Sequence, residues 1–188
     1  VAMDAPRFLS GQFLLAMPGI GDPRFDKAVI AMCVHDEGGA LGIGLGRIVP
    51  RIGFHELLAQ LDIEPGVAPD VAIHLGGPVE PQRGFILHSR DWGGQDSVQV
   101  ADRWQLTATL DILRAIAEGR GPSRWIAALG YAGWGPGQLE QEMCGNGWFT
   151  TPGSDALLYD CDVNSRWATA FHSAGIDSRL LTADFGTA

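Results

Sequence analysis

The sequence predicts a mixed α+β fold, a single compact domain of residues 1–188 in which short helices flank a mixed β-sheet. Three observations predict it. A chain of 188 residues has the size of one domain and can bury an extensive core. Its hydrophobic fraction of 46% and charged fraction of 19% are typical of a globular protein. Short apolar runs alternate with short helical patterns, without the regular βαβ rhythm of a doubly wound fold.

The first third of the chain is predicted to be rich in strands. Residues 13–17 and 29–35 are apolar runs of strand formers, and Asp22-Pro23 between them favours one helical turn over residues 24–28. Residues 41–49 alternate glycine with aliphatic side chains, which predicts a strand with a bare face that another element can approach closely. Helical spacing of apolar residues predicts a short helix over residues 53–61.

The remaining elements follow from the same signals. Strands are predicted at residues 71–75, 83–89, 125–129 and 157–159. A leucine stripe predicts a helix over residues 106–117 that ends at Gly119, and Pro136 suits the first turn of a helix over residues 137–144. Asp162 and Gly175 are predicted to begin and end a helix over residues 163–174. Residues 130–148 are interpreted as a rigid turn of glycines and aromatic rings before the short acidic helix.

The acidic composition argues against nucleic acid as a partner. The formal net charge is −9, Lys27 is the only lysine, and there is no basic run to contact phosphates. Three cysteines without a CxxC pair favour a reducing compartment, so we expect a cytoplasmic protein. No segment approaches the ~20 apolar residues of a membrane helix, so no membrane is expected. Residues 1–7, in which Val1 and Ala2 precede Met3, are predicted to be an expression remnant and a flexible N-terminus.

Several fragments imitate metal sites and lack an essential ligand. His55 begins half of an HExxH zinc motif, but Ala59 stands where the second histidine is required. His35 begins an H-x-E sequence without the PCxxC segment of the zinc deaminases. Cys33 and His35 share a strand face, and a metal there would need a further cysteine to converge on them. We therefore expect no metal and no cofactor.

Two further motifs fail as catalytic sites. His88 and Ser89 are neighbours on a predicted strand, so their side chains point to opposite faces, and the chain contains no GxSxG elbow. The glycines of residues 130–135 have P-loop spacing, but Pro136 and Gly137 replace the lysine and hydroxyl residue. Acidic side chains, including Glu140, in the following turns would repel phosphate.

Two interpretations remain open for the aromatic rings of this segment. Tyr131, Trp134 and Trp148 either pack over a small core or form a wall for a planar ligand or a protein partner. Arg83 is either a partner for a nearby carboxylate of the protein or a cation that holds an anionic ligand.

The chain resembles the YqgE/AlgH family (uncharacterised protein family 0301, DUF179). Four segments in family order carry the resemblance: FLLAMP at residues 13–18, CVHD with GALG at residues 33–42, GGPV with RGFILHS at residues 76–89, and GYAGWGPGQLE at residues 130–140 with Asn146 and Trp148. The resemblance implies a bifurcated, barrel-like mixed sheet flanked by helices, and no established enzymatic activity. Some members are described as transcriptional regulators. One departure is Gly46, which stands where the family usually has asparagine.

From these observations we expect an acidic, bacterial-type cytoplasmic protein with a regulatory, non-catalytic binding role, acting through a protein partner or a small planar or anionic ligand. The alternatives are a hydrolase with a histidine base and a regulator that binds nucleic acid directly. The candidate surface is predicted to combine the following residues: His35, Gly77, Pro78, Arg83, His88, Tyr131, Gly133, Trp134, Gly135, Pro136, Gly137, Glu140 and Trp148.

Overall fold

The structure, a computed structural model, describes residues 8–18, 22–93, 96–145 and 147–181. Within these ranges lie ten strands: β1 (Gln12–Ala16), β2 (Val29–Asp36), β3 (Gly39–Gly44), β4 (Ile48–Gly53), β5 (Ala72–Leu75), β6 (Val79–His88), β7 (Val98–Val100), β8 (Trp104–Thr107), β9 (Trp125–Trp134) and β10 (Trp148–Pro152). Five α-helices accompany them: α1 (Phe54–Gln60), α2 (Leu110–Ala117), α3 (Gln138–Cys144), α4 (Asp155–Tyr159) and α5 (Arg166–Ser173). The predicted remnant at residues 1–7 and the motif residue Asn146 lie outside the described residues.

The strands form one sheet that branches at β9. Hydrogen bonding follows the order β10-β1-β2-β3-β9-β6-β8-β7. Strand β6 pairs antiparallel with residues 125–129 of β9, and β5 pairs parallel with residues 127–129 on the other edge. Further along, β9 pairs antiparallel with β3 at residues 132–134, while β4 extends the branch that β5 begins. The mixed α+β fold with a bifurcated, barrel-like sheet is confirmed.

Both faces of the curled sheet are buried. The inner faces enclose the largest core cluster, in which Phe13 of β1 stacks on Trp104 of β8 with ring centroids 5.7 Å apart, and α4 and α5 close it. Helices α1 and α2 cover the outer face of β5, β6 and β9. Helix α3 covers the outer face of β1, β2 and the end of β9. Burial on both faces explains why strands such as β1 and β2 are almost continuously apolar.

Most predicted elements are present within a few residues of the expected positions. This holds for the strands predicted at residues 13–17, 29–35, 71–75 and 83–89 and for the helices at residues 53–61 and 137–144. The turn predicted at residues 24–28 is a 3-10 turn at Pro23–Phe25. The helix predicted at residues 163–174 begins as a 3-10 turn and continues as α5, with the Asp162 carboxylate accepting from the Asn164 N–H at 3.0 Å.

The single strand predicted over residues 41–49 is wrong. Strand β3 ends at Gly44, which pairs with Ile30 and donates its N–H to the Gly76 carbonyl at 2.7 Å, and β4 begins at Ile48. The bare glycine face is nevertheless used as expected. A Cβ at Gly44 would lie 2.7 Å from the Leu75 carbonyl oxygen, so only glycine allows this approach of two backbones.

Two other predictions are wrong because the apolar pattern of the segment fits both a helix and a strand. The helix predicted over residues 106–117 begins only at Leu110, because Leu106 belongs to β8 and pairs with Leu87 of β6. The strand predicted at residues 157–159 is instead part of α4, whose first turn is capped by the Ser154 hydroxyl accepting from the Leu157 N–H at 3.2 Å. Short apolar runs do not distinguish strand from helix.

A buried arginine fixes the C-terminal helices to the sheet. Arg166, at the start of α5, is 3% exposed and donates to four backbone carbonyls. Its Nε bonds the Leu157 carbonyl at 2.8 Å, and its Nη2 bonds those of Leu158 and Cys161 at 3.1 and 3.2 Å. Its Nη1 donates to the Leu45 carbonyl, after the end of β3. The carbonyl dipoles compensate a buried charge that would otherwise be costly to desolvate.

Candidate functional site

Residues 130–134 are not the turn that the sequence predicts. They continue strand β9, with Tyr131 opposite Val79 of β6 and Trp134 opposite Ala40 of β3. The turn shortens to residues 135–137, where Gly137 adopts φ +73° and precedes α3. Within it, the Gly135 N–H donates to Gln138 Oε1 at 3.0 Å. The glycines accommodate close backbone neighbours in the sheet.

Trp134 and Trp148 pack in the core beneath α3. Their side chains are 7% and 5% exposed, and their rings meet edge to face with centroids 6.3 Å apart. Both indole Nε1 groups donate to the same atom, Glu142 Oε1, at 3.0 Å, and Gln138 donates to the other carboxylate oxygen at 3.2 Å. These contacts favour the packing interpretation, because buried rings with satisfied N–H groups present no face to a ligand.

His35 lies beside Glu140, one of its predicted companions. Its Nδ1 accepts the Leu9 N–H at 3.0 Å, which places the proton of a neutral ring on Nε2. This Nε2 is buried without a hydrogen-bond partner and lies 3.4 Å from Glu140 Oε2. Phe8 contacts the imidazole edge-on at 5.2 Å. The structure therefore joins the second and fourth motif segments, with one ring nitrogen held by backbone.

His88 lies at the opposite end of β9 from Trp134. It pairs with Trp125, so about 30 Å of strand separates it from the turn at Gly135. Its Nε2 bonds Thr107 Oγ1 at 2.8 Å and its Nδ1 bonds the Ser89 carbonyl at 2.8 Å. Burial lowers the pKa of His88.

The hydroxyl of the neighbouring Ser89 is also hydrogen-bonded within the fold. Ser89 Oγ donates to Asp91 Oδ1 at 2.6 Å and lies 3.3 Å from Ser123 Oγ. Hydrogen bonds that Asp91 accepts from the Ser123 side chain, the Ser89 hydroxyl and the Ser123 N–H lower the pKa of its carboxyl. The Ser89 hydroxyl and the His88 ring do not bond each other, so the arrangement stabilises the loop and forms no nucleophile–base pair.

Arg83 forms an exposed ion pair within its own strand. Its Nη1 lies 3.5 Å from Glu80 Oε2, and its guanidinium stands 5.1 Å from the Phe85 ring centroid. Tyr131 meets Phe85 edge to face at 5.8 Å, and desolvation and Glu80 raise the pKa of the tyrosine. The carboxylate-partner interpretation of Arg83 therefore has a specific contact.

The cysteines do not converge on His35. Cys33 is buried, and burial raises the pKa of its thiol to about 12, so it is no thiolate ligand. Cys144 is exposed and Cys161 half-buried. No cluster of three metal-ligating side chains occurs in the part of the chain that the structure describes.

An open cleft forms where the glycine segments meet, and we call it the glycine cleft. It measures about 280 Å³ and lies between the start of β2 and the segment that joins β5 to β6. Backbone and apolar side chains line most of it: Phe25, Ala28, Val29, Ile30, Gly44, Gly46, Arg47, Leu75, Gly76, Gly77, Pro78, Pro81 and Ala132. Arg47 is the only charged residue among the described lining residues.

The thirteen predicted residues do not form one surface. Gly77 and Pro78 line the glycine cleft, whereas Gly133, Gly135, Pro136 and Gly137 are exposed near α3 and His88 is remote. Sequence reasoning missed Gly44, Gly46 and Arg47 as lining residues. The alternating glycines were a signal for them, since a bare strand face leaves either a close neighbour or a gap.

No helix in the described ranges is both long and apolar enough to cross a membrane.

Comparison with known proteins gives consistent matches across the chain. The family DUF179, described as AlgH-like, matches residues 13–179. A UPF0301 protein of Rhizorhabdus wittichii is 64% identical over 186 residues, which cover 99% of this chain and 100% of the relative. A UPF0301 protein of Sphingopyxis alaskensis is 59% identical, with 98% of each chain covered.

Two solved structures share the fold. The solution structure of the AlgH protein from Pseudomonas aeruginosa superposes with a TM-score of 0.80 at 35% identity and covers 96% of both chains. A crystal structure of a Corynebacterium diphtheriae protein gives a TM-score of 0.70 at 23% identity, covering 91% of this chain and 90% of that one. The second likeness concerns the fold alone.

Proposed function

Because this chain belongs to the AlgH-like family DUF179, whose name states no activity, we propose a function from the geometry of the structure. We infer that it is a cytoplasmic regulatory protein that binds a small, largely apolar ligand without catalysis. The glycine cleft is the observation that carries this proposal. It is concave, it is lined by backbone and aliphatic groups, and its 280 Å³ approaches the size of small-molecule sites.

The lining also gives the cleft a stable shape. The Gly44 N–H bonds the Gly76 carbonyl at 2.7 Å, and the Gly76 N–H bonds the Leu129 carbonyl at 2.8 Å. Two of the walls are therefore held by backbone hydrogen bonds rather than by mobile side chains. A preformed site of this kind loses little entropy when a ligand enters.

The hydrolase alternative has weaker support. Both ring nitrogens of His88 and the hydroxyl of Ser89 are already bonded within the fold. His35 keeps an Nε2 without a hydrogen-bond partner, but the group facing it is the Glu140 carboxylate, and its described contacts include no hydroxyl or thiol nucleophile. A general base acts only within reach of the group it deprotonates.

A protein partner is the second candidate. Leu75 of β5 lines the glycine cleft and is 41% exposed, and Ile48 of the adjoining strand β4 is 44% exposed. Apolar side chains in such a position are typical anchors for a partner. A role in transcription would also run through a protein, because a net charge of −9 opposes direct contact with DNA.

The proposal is tested by amide NMR with 1-octanol as a neutral apolar probe. We expect saturable shifts at Gly44, Gly46, Gly76 and Gly77, and we expect Leu75→Glu to abolish them. Leu110→Glu is the matched control, since Leu110 is also 41% exposed but lies outside the cleft. Shifts confined to His88 and Ser89 would instead support the hydrolase, and a pull-down lost only in Leu75→Glu without octanol shifts would support the protein partner.

A further inference from the structure

A second cleft adjoins the glycine cleft, and we call it the basic cleft. It measures about 610 Å³ and lies between Asp26 and Lys27, the end of β1 and helix α5. Gly46 and Arg47 line both clefts, so the two cavities meet along this short segment between β3 and β4. A ligand that entered the glycine cleft could extend into the basic cleft past a residue that has no side chain.

The basic cleft concentrates positive charge in an acidic protein. Lys27, Arg47 and Arg179 line it, although the whole chain carries a net charge of −9. Two carboxylates oppose them: Asp26 in the lining and Asp177, which pairs with Arg179 at 2.7 Å. Among the described lining residues the three cations outnumber the single carboxylate, which suits an anionic ligand.

The two basic groups nearest the junction are held in place. Arg47 donates through Nη2 to the carbonyls of Pro23 and Asp26 at 3.1 and 3.3 Å, which fixes its guanidinium beside the 3-10 turn. Lys27 has a left-handed backbone, φ +53°, and its Nζ lies 5.9 Å from the centroid of the Trp167 ring. The Trp167 indole donates to the Ala16 carbonyl at 2.9 Å, so this wall is also fixed.

Gly46 lies where the two clefts meet, and its lack of a side chain leaves the passage between them open. A Cβ at this position would lie 3.2 Å from the Lys27 carbonyl oxygen and 3.4 Å from the Val29 nitrogen. A side chain here would therefore press on the backbone that positions Lys27. Glycine allows the apolar and basic clefts to stay adjacent.

We propose that the two clefts form one site for an aliphatic carboxylate, a deepening that rests on the proposed function. The acyl chain occupies the glycine cleft, where it is shielded from water by aliphatic groups. The carboxylate lies at the junction, where it accepts hydrogen bonds from Arg47 and Lys27. Charge-assisted hydrogen bonds to a carboxylate provide the selection against neutral chains of equal length.

The test compares three probes by calorimetry and amide NMR: octanoate, 1-octanol and acetate. Octanoate is expected to bind about fivefold more tightly than 1-octanol, because exposed charge pairs contribute about 1 kcal/mol. Acetate is expected to show no saturation at the same concentrations, since it has no chain to bury. Raising the salt concentration should weaken octanoate and leave 1-octanol unchanged.

Lys27→Met removes the positive charge of the side chain and keeps an unbranched apolar stem. We expect it to reduce the octanoate affinity towards that of 1-octanol, since Arg47 remains, while the 1-octanol affinity stays constant. Arg120→Met is the control, because Arg120 is an exposed cation that lines neither cleft. The salt dependence of the unmodified protein gives the same information should Lys27→Met fail to fold.

The outcomes separate the two proposals. Equal affinities for octanoate and 1-octanol, unaffected by salt and by Lys27→Met, would overturn the carboxylate assignment and leave the apolar cleft intact. Absence of binding by both chain-bearing probes would overturn both proposals. N-acetyl-leucine is added as a fourth probe, and its binding more tightly than octanoate would contradict the aliphatic ligand and assign the site to a peptide C-terminus.

Discussion

Arg166 donates from Nη1 to the Nε2 of His74 at 3.1 Å, in a buried contact between the first turn of α5 and strand β5. The other ring nitrogen, Nδ1, lies 3.2 Å from the Ala127 carbonyl and carries the proton when Nε2 accepts. Burial and the arginine charge lower the pKa of His74 to about 4. The contact between Arg166 and His74 therefore requires a neutral imidazole.

Stability is expected to fall as the pH decreases from about 6.5 to about 4. In this range the unfolded chain protonates His74, since an unperturbed histidine has a pKa of 6.5, while the folded protein does not, so the proton favours unfolding. The loss approaches ~3 kcal/mol at the acid end. Urea unfolding at several pH values measures it. His74→Gln should flatten the dependence relative to the exposed control His172→Gln, and equal slopes in the two variants would contradict the assignment.

Glu142→Ala is expected to destabilise the protein by ~3 kcal/mol. Two indole N–H groups, those of Trp134 and Trp148, would lose their common acceptor in a buried setting. Denaturant unfolding followed by tryptophan fluorescence measures the effect. Gln141→Ala, at an exposed position of the same helix, is the comparison. A loss no greater than that of Gln141→Ala would show that the two indoles do not depend on this carboxylate.

Trp134→Ala is expected to cost ~3–5 kcal/mol, since the ring is 7% exposed and packs beneath α3. Arg83→Ala should change the free energy of unfolding by less than ~1 kcal/mol, because its ion pair with Glu80 is half exposed. Thermal and denaturant unfolding test both substitutions. If Trp134→Ala kept full stability, the packing interpretation of this ring would be wrong.

Gly77→Ala and Gly137→Ala form a matched pair, because both glycines have positive φ, +155° and +73°. A Cβ at Gly77 would lie 2.1 Å from the Tyr131 carbonyl carbon, whereas nothing lies within 4 Å of one at Gly137. We expect Gly137→Ala to cost ~1 kcal/mol from backbone strain and Gly77→Ala at least ~3 kcal/mol. The free energies of unfolding decide this, and similar values would refute the close approach.

Local sequence patterns predict an element correctly where its apolar periodicity and its strand pairing indicate the same structure. Strands such as β1 and β2 and helix α1 carry an unambiguous apolar rhythm, so their positions were predictable. Leu106 was assigned to the wrong element because it fits the α2 stripe equally well, and only its pairing with Leu87 decides the matter. Long-range hydrogen bonds of this kind leave no trace in neighbouring residues.

The same limit applies to the candidate site. The abundance of glycine correctly indicated close backbone contacts, as between Gly77 and Tyr131. The sequence could not show that the indoles of Trp134 and Trp148 turn inward to Glu142, because an exposed and a buried ring have the same identity. It also could not show that Gly46 and Lys27 adjoin, since they lie on segments whose proximity depends on the β2–β3 register.

The position of β9 late in the chain constrains how the protein forms. Strands β3, β5 and β6 all require residues 125–134 as a hydrogen-bonding partner, and these residues are synthesised after all three. The N-terminal two thirds of a nascent chain must therefore leave those strand edges unpaired until β9 emerges. Assembly of the sheet is then a late and concerted step, and the chain is most exposed to aggregation just before that strand leaves the ribosome.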